Sequence, residues 1–457
     1  MSKIVLPGIY PPISQGRRNF QDSNRYAGPR GEPGCDSRSR RLVLLLTFGT
    51  VGDLQPFLTL AAALRDRGHR TLLVIPRIHE QLVRDTGLAY VPFGTREQAQ
   101  AVLDDPELWN ERKGFGVVWR GLLPSLDVIC ELLISHAQAQ PCIVLSHPFL
   151  VPVAALARER QPDLHVVGTY LAPSNLRTIH DPLTIGSLHI PGWVPLSIRR
   201  TLWRAVDRFF IDPDLLPGLN ASRAAQGLKP VTNFIQHMQA ASDASVGLFP
   251  AWFANRQPDW PPEFVQGHFP LRHASPPPPL PADLEAFLAA GDPPIAFTPG
   301  TGHKHAASYF SNALNALRAL GRRGLFITTY PEQVPNPLPP EVRWQSHAPF
   351  ESLLPRLAML VHHGGIGTTA EALRAGIPQL ILPFAFDQFD NGRRVERLGA
   401  GKVMPAARAN ARRLRQQIAR LLGGAAAPGR TVRPACPDVD QGLAQLVDSV
   451  ERAMSVR

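Results

Sequence analysis

The stretch that decides the fold runs from residue 361 to residue 401: VHHGGIGTTAEALRAGIPQLILPFAFDQFDNGRRVERLGAG. An apolar strand ends in His362 and His363, a turn holding Gly364, Gly365 and Gly367 follows, and Thr368 and Thr369 open a helix that carries Glu371. Glycines let a ligand come close to the backbone, and a helix start presents unpaired N–H groups with partial positive charge, so this turn suits a diphosphate. A histidine beside it can donate to phosphate oxygens, and a carboxylate one turn into the helix can reach ribose hydroxyls. After the next apolar strand come Asp387 and Gln388. They stand at a strand C-terminus, the edge on which parallel sheets bind ligands, and side chains of this type suit a polyol.

The same alternation extends in both directions. At the front, RLVLLLTFGTVGD (residues 41–53) is an apolar run ending in a glycine-bearing turn, and Leu54, Phe57, Leu58, Ala61 and Leu64 then recur at helical spacing. Arg67-Gly68-His69 stops that helix before a strand at 71–75, which makes a β-α-β unit. Strands are predicted again at 142–146, 165–170, 294–298, 325–329, 359–362 and 379–383, with helices at 151–160, 198–210 and 306–320 and one from Thr368. Such alternation predicts an α/β chain of two Rossmann-like parallel-sheet domains facing a cleft. The first spans 41–275 and the second 282–437. Four prolines, Pro276 to Pro279, mark a stiff linker at 276–281. Residues 1–40 read as a disordered basic tail with no secretory core, and 438–457 as an amphipathic helix crossing back to the first domain.

At 457 residues, with 44% apolar and 19% charged side chains, the chain is neither a small module nor a disordered polymer. No stretch nears the 18 or so apolar residues of a membrane span. Cys35, Cys130, Cys142 and Cys436 show no C-x-x-C spacing, so neither a disulfide framework nor a zinc knuckle is indicated, and a reducing compartment fits. The formal net charge of +11 asks for an anionic partner. It divides unevenly: residues 1–41 hold eight basic and three acidic residues, residues 42–281 hold 20 of each, and residues 282–457 hold 20 and 14. The surplus thus lies in the tail and in the half with the glycine turn, and no nucleic-acid module accompanies it, so nucleic acid is not the expected partner.

The 361–401 stretch resembles the donor signature of family 1 nucleotide-sugar glycosyltransferases of GT-B fold, through its His-x-Gly-Gly turn, Glu371, the Gly-x-Pro before a strand, the Asp-Gln pair and Asn391. Gly49-Thr50-Val51-Gly52-Asp53 with Pro56 and Arg67-Gly68-His69 is similar to the start of bacterial and sterol-type members. The resemblance, over about residues 41–405, implies a hexosyltransferase. It places His363, Gly365, Gly367, Thr368 and Thr369 on the donor diphosphate, Glu371 on the ribose, and Asp387 and Gln388 on the sugar. Thr298, Gly300 and Thr301 form a second phosphate-facing loop. His347 and Ala348 stand where many relatives carry a base-stacking Trp, a departure that leaves the base open. Asp53 becomes the base that takes the acceptor proton, and His363 helps the diphosphate leave, with no cofactor and no metal.

The first domain should hold the acceptor, and its irregular parts are aromatic: Trp109, Phe115, Trp119, Trp193, Trp203 and, within 248–264, Trp252 and Phe253. Trp119, Trp193, Trp252 and Phe253 are the expected acceptor-binding residues, and the acceptor is expected to be lipophilic. Segments 114–119, 248–264 and 267–271 most resemble the rhamnolipid-forming rhamnosyltransferases, which implies dTDP-L-rhamnose as donor and a hydroxyacyloxy fatty acid as acceptor. A UDP-glucose-dependent sterol, terpenoid or macrolide glucosyltransferase is the alternative. A reading of another class is a non-catalytic nucleotide-sugar-binding subunit that partners an acyltransferase. A cytoplasmic location is expected, with Arg412, Arg413, Arg415 and Arg420 available for peripheral contact with the inner membrane.

Plainer readings compete at several positions. Asp53 reads equally as the N-cap of a helix starting at Leu54. Asp212-Pro213-Asp214 resembles a metal-binding D-x-D but reads as a solvated loop. His303-x-His305 lacks a third ligand at fitting spacing. GTVGD lacks the full G-x-G-x-x-G, which argues against a nicotinamide enzyme.

Overall fold

The computed structural model describes residues 41–181, 183–272, 276–425 and 439–456. The tail expected at 1–40 and the second domain's end at 426–437 lie outside them. The described chain packs as one compact unit.

The run read first in the front half is β1 (Leu42–Leu46), five residues buried without a break. Alternation is missing because helices cover both faces of a parallel sheet, so both sides of each strand must be apolar. β2 (Arg70–Pro76), β3 (Tyr90–Phe93), β4 (Cys142–Ser146) and β5 (His165–Tyr170) follow, then a two-stranded hairpin of β6 (Leu183–Ile185) and β7 (Leu188–Ile190), then β8 (Ala244–Gly247) and β9 (Phe264–Gln266). The first sheet is wholly parallel in the order β3-β2-β1-β4-β5-β8-β9. The second domain repeats the plan with β10 (Ile295–Thr298), β11 (Gly324–Ile327), β12 (Val342–Gln345), β13 (Met359–His362), β14 (Gln379–Ile381) and β15 (Gly401–Val403). Its order is β12-β11-β10-β13-β14-β15, again all parallel.

Each sheet reverses its winding between two neighbours, β1 and β4 in the first and β10 and β13 in the second. Loops leaving the C-terminal ends of such strands diverge and open a crevice. Four loops therefore define where ligands bind: those after Leu46, Ser146, Thr298 and His362.

Five helices matter to the site and its surroundings: α1 (Val51–Asp66), α2 (Leu196–Val206), α3 (Ile366–Ala375), α4 (Gln388–Arg397) and α5 (Val439–Ser455). α5 lays Leu446, Val447 and Val450 into the core of the first domain. It is also pinned from outside, where Arg67 donates to Asp448 at 2.5 Å and to Glu451 at 2.8 Å.

Two sequence expectations are corrected, and one stretch on which the sequence pattern was silent is filled in. Between β3 and β4 lie helices Arg96–Asp104, Gly114–Leu122 and Leu126–Ala139, which the glycines and aromatics of that stretch obscured. α3 begins at Ile366 rather than Thr368, because Gly365 serves as its N-cap. Asp212-Pro213-Asp214 is the first turn of helix Asp212–Ala225, not a loop. Proline suits that first turn, and the Asp212 carboxylate accepts from the Phe234 N–H at 2.9 Å.

Candidate functional site

The loop after β1 is built around a close approach. Thr50 caps α1 by accepting from the Gly52 N–H at 3.2 Å. Asp53, third residue of the helix, completes the capping box: its Oδ2 accepts from the Thr50 N–H at 2.8 Å and from the Thr50 hydroxyl at 3.1 Å. Asp53 is therefore not the N-cap that the sequence offered as the plain reading, since the helix starts three residues before Leu54. Gly49 sits at φ +96°, and a Cβ there would stand 2.4 Å from Asp53 Oδ2, so only glycine lets the carboxylate fold back in this way. Burial pushes the Asp53 carboxyl up to about 6.

The loop after β4 brings His147, which the sequence reading overlooked. Its Nδ1 accepts from the Phe149 N–H at 3.3 Å, which assigns the proton to Nε2. That nitrogen faces Asp53 Oδ1 at 3.8 Å, longer than a hydrogen bond. Burial lowers His147 to about 3, so it is a neutral dipole beside the carboxylate rather than a counter-ion. A histidine next to a strand-ending serine was the only sequence signal for it.

Across the cleft, β13 delivers two histidines with separate tasks. His362 is buried, its Nδ1 accepting from the Gly364 N–H at 3.2 Å and its Nε2 facing Gln379 Oε1 at 3.0 Å, so it braces the glycine turn. His363 lies between the two phosphate-type loops. A Cβ on Gly300 would come within 2.8 Å of its ring, and Gly300 has φ +93°. Its Nδ1 is buried without a hydrogen-bond partner. Burial, and then the neighbouring His362, lowers its pKa to about 3, so a neutral ring with one N–H faces the cleft. On the β10 side, the Thr298 hydroxyl accepts from the Gly300 N–H at 3.3 Å and shapes the turn.

After β14 the chain bends sharply, with Phe386 at φ +57°, the one non-glycine residue with positive φ among the described residues. Its ring meets Trp109 at 5.7 Å and Phe115 at 5.4 Å from the first domain, which holds the bend in place. Asp387 accepts from Asn391 Nδ2 at 2.7 Å, and that amide also donates to the Gly364 carbonyl at 2.9 Å, tying the Asp-Gln turn to the glycine turn. Burial raises Asp387 to about 7, and the negative field of Asp53 adds to it. The two carboxyls thus sense one another across the cleft.

All four loops line one cavity of about 1250 Å³ between the domains. The domains meet on either side of it. Trp109 Nε1 donates to the Gly302 carbonyl at 3.3 Å and its ring stacks on His303 at 5.3 Å, with Lys304 paired to Asp104. On the other side Asp181 accepts from Arg394 at 2.5 Å and Arg397 at 3.0 Å.

Comparison with known proteins agrees with this arrangement. Residues 43–124 match the glycosyltransferase family 28 N-terminal domain, and residues 327–435 match the erythromycin biosynthesis protein CIII-like C-terminal domain. O-mycaminosyltylonolide 6-deoxyallosyltransferase of Streptomyces fradiae is 29% identical over 87% of this chain and 97% of its own. The sterol 3-beta-glucosyltransferase UGT80A2 of Arabidopsis thaliana is 27% identical over 79% of this chain and 57% of its own. Among solved structures, the glycosyltransferase VinC in complex with dTDP superposes with a TM-score of 0.55 at 22% identity, covering 91% of this chain and 99% of that one. The chain is a glycosyltransferase of GT-B fold.

In this glycosyltransferase most donor-side expectations converge on the cavity: Thr298, Gly300, Thr301, His347, Ala348, His363, Gly365, Gly367, Thr368, Glu371, Asp387 and Gln388 all line it, as does Asp53. Thr369 is the exception, fully buried beneath Thr368 because successive residues on a helix point about 100° apart. Gln388 is partly spent, its Oε1 accepting from the Phe384 and Ala385 N–H groups at 2.8 and 3.2 Å. Glu371 pairs with Arg374 at 2.9 Å.

The expected acceptor residues fare differently, and none of the four is on the cavity wall. Trp119 is fully buried, edge-on to Phe149 at 5.7 Å, and backs the wall from behind. Trp252 and Phe253 belong to an apolar cluster that seals the two domains together with Leu373 and Val395. Trp193 stands 81% exposed on the surface. The apolar wall is made instead by Phe115, Val118, Phe149, Leu202, Trp203 and Val206, with Trp109 at its edge. Aromatic content alone cannot tell a wall from the layer behind it.

No described helix is long and apolar enough to cross a membrane. Among the described residues no three His, Cys, Asp or Glu side chains cluster as metal ligands do.

Proposed function

We propose that the enzyme transfers a hexose with inversion from a nucleoside-diphosphate sugar to a hydroxyl of a lipophilic acceptor, without a metal. The observation that carries this reading is the position of Asp53, a carboxylate near pKa 6 on the same cavity as the glycine turn and N–H groups at the start of α3. The acceptor oxygen attacks the anomeric carbon while Asp53 takes the hydroxyl proton. The bond from that carbon to the diphosphate oxygen breaks, and its electron pair leaves with the diphosphate. Negative charge on the leaving group is met by the N–H groups opening α3 and by the His363 ring. Asp387 and the Gln388 amide hold sugar hydroxyls, and Glu371 the ribose.

For the substrates we propose dTDP-L-rhamnose and a hydroxyacyloxy fatty acid. The deoxysugar transferred by the Streptomyces relative and the dTDP bound to VinC support the donor. The apolar wall of the first domain supports a lipophilic acceptor, and it suits a sterol or macrolide too, as the names of the relatives indicate. Incubating the purified protein with dTDP-rhamnose or UDP-glucose and a hydroxy-fatty-acid dimer, followed by mass spectrometry, separates these readings. A rhamnosylated dimer is expected. Glucosylation only, or transfer only to a sterol or macrolide, replaces the substrate assignment. Donor binding with no transfer to any acceptor points to a binding subunit that serves an acyltransferase.

A further inference from the structure

Large apolar side chains are open to solvent at nine described positions, and six of them fall between Leu188 and Phe210. Chance scatter of surface apolar residues is normal, but concentration in one short segment marks a contact face. Trp193 is 81% and Phe209 67% exposed, far beyond what an ordinary soluble surface needs. Two features show that they are held outward by construction. The buried Arg199 guanidinium donates to the carbonyls of Gly192 and, at 2.8 Å, Val194, on either side of Trp193, and to that of Ile179 at 2.9 Å. The loop bearing Trp193 is thus pinned to the domain. At the other end, α2 passes into a π-helical turn, Asp207–Ile211, which leaves both Phe209 and Phe210 open to solvent.

The charge of this segment has one sign outside. Arg200, Arg204 and Arg208 are exposed, whereas Asp207, the one carboxylate between Leu188 and Ile211, is buried and paired with Arg177. Aromatic rings beside arginines suit the interfacial zone of an anionic bilayer, where rings sit at headgroup level and guanidiniums meet phosphates. The inner side of the same helix lines the apolar part of the cavity through Leu202, Trp203 and Val206. Leu188 and Phe210, two of the six, also line the cavity, so this outer face adjoins its mouth.

We propose that Leu188–Ile211 is the face on which the enzyme docks on an anionic lipid bilayer. Docking there brings the apolar arm of the cavity next to the bilayer, from which a lipophilic acceptor can enter. This last step rests on the proposed acceptor class; the docking itself does not.

The test is sedimentation of the full chain with vesicles of equal parts phosphatidylglycerol and phosphatidylcholine, against phosphatidylcholine alone and without any sugar donor. Binding to the anionic vesicles is expected, weakening in high salt. Trp193→Ser/Phe209→Ser and, separately, Arg200→Glu/Arg204→Glu/Arg208→Glu should each reduce partitioning at least tenfold, with unchanged thermal midpoints. Arg412→Glu/Arg413→Glu/Arg415→Glu, on the helix Ala411–Ala425, should bind as the unaltered protein does. No binding by the unaltered protein overturns the proposal, and so does loss in the 412–415 variant with retention in the other two. A concentration-dependent dimer that Trp193→Ser/Phe209→Ser dissolves, with no vesicle binding, overturns it in favour of a contact between copies. Because no donor is present, none of these results bears on the transfer chemistry.

Discussion

The wall of the cleft that belongs to the second domain is made largely of backbone. Gly300 and Gly365 bring two strand-to-helix loops together around the His363 ring, Gly364 lets the turn close on Ile381 and Gln388, and the start of α3 supplies N–H groups. The wall that belongs to the first domain is made of side chains collected from distant segments, with Phe115, Phe149 and Trp203 contributed by three different helices or turns. Strand order about the two switch points is the same, yet one edge is built mainly of backbone and the other of apolar side chains; under the proposed function the first meets a fixed polyanion and the second apolar bulk. A phosphate is the same in every donor and favours a rigid backbone cradle. An apolar body can be matched by any side chains of suitable volume.

That contrast can be broken or sharpened by experiment. The largest effect is expected from Asp53→Asn, which keeps an oxygen for the Thr50 cap and removes the base: kcat should fall about 10³-fold with the thermal midpoint near that of the wild type. Retention of activity within tenfold would make Asp53 a helix cap and leave the first-domain wall without a chemical role. His363→Ala should lower kcat about 10²-fold and weaken donor binding, while KM for the acceptor stays put. A rise in acceptor KM instead would mean that the walls do not divide their labour as described.

Next comes pH. The active form of Asp53 is ionised, and its carboxyl titrates near 6, so kcat/KM should climb as pH rises from about 5 and level off above about 7. Below the midpoint it should lose up to about tenfold per unit. His147→Phe keeps the bulk but removes the N–H facing Oδ1, so the ionised form loses support and the midpoint should move up by roughly half a unit. A profile with no inflection between 5 and 7 assigns proton removal elsewhere. Phe115→Ala, on the acceptor wall, should raise acceptor KM about tenfold and leave donor KM unchanged. The smallest effect should come from a chelator, since charge on the leaving diphosphate is assigned to α3 and His363; a rate that collapses with chelation and returns with added divalent cation would refute that assignment.

Much of this was legible in the chain. β1 reads as five consecutive buried leucine and valine residues because a parallel strand is covered on both faces, and the turn at 363–368 reads as a cradle because few sequences besides a ligand loop concentrate glycines at a helix start. Asp53 was recognisable as a candidate base, while its place in the capping box needed coordinates. His147 escaped notice because nothing local distinguishes it; it matters through a neighbour 94 positions away in the chain. The expected acceptor residues failed for a related reason. Trp119, Trp252 and Phe253 are as apolar as the true wall, but they form the layer behind it or the seam between domains.

By itself, then, the sequence determined the two parallel sheets, the loops at their switch points and the glycine-rich turn that lines the cavity, because each depends on periodicity and on residues within one β-α-β unit. Which apolar residues face the cleft, which carboxylate oxygen meets His147, and that Trp193 is held out on the surface were decided only by tertiary structure. Such facts depend on the direction of a side chain relative to segments far away, and local pattern carries no information about that direction.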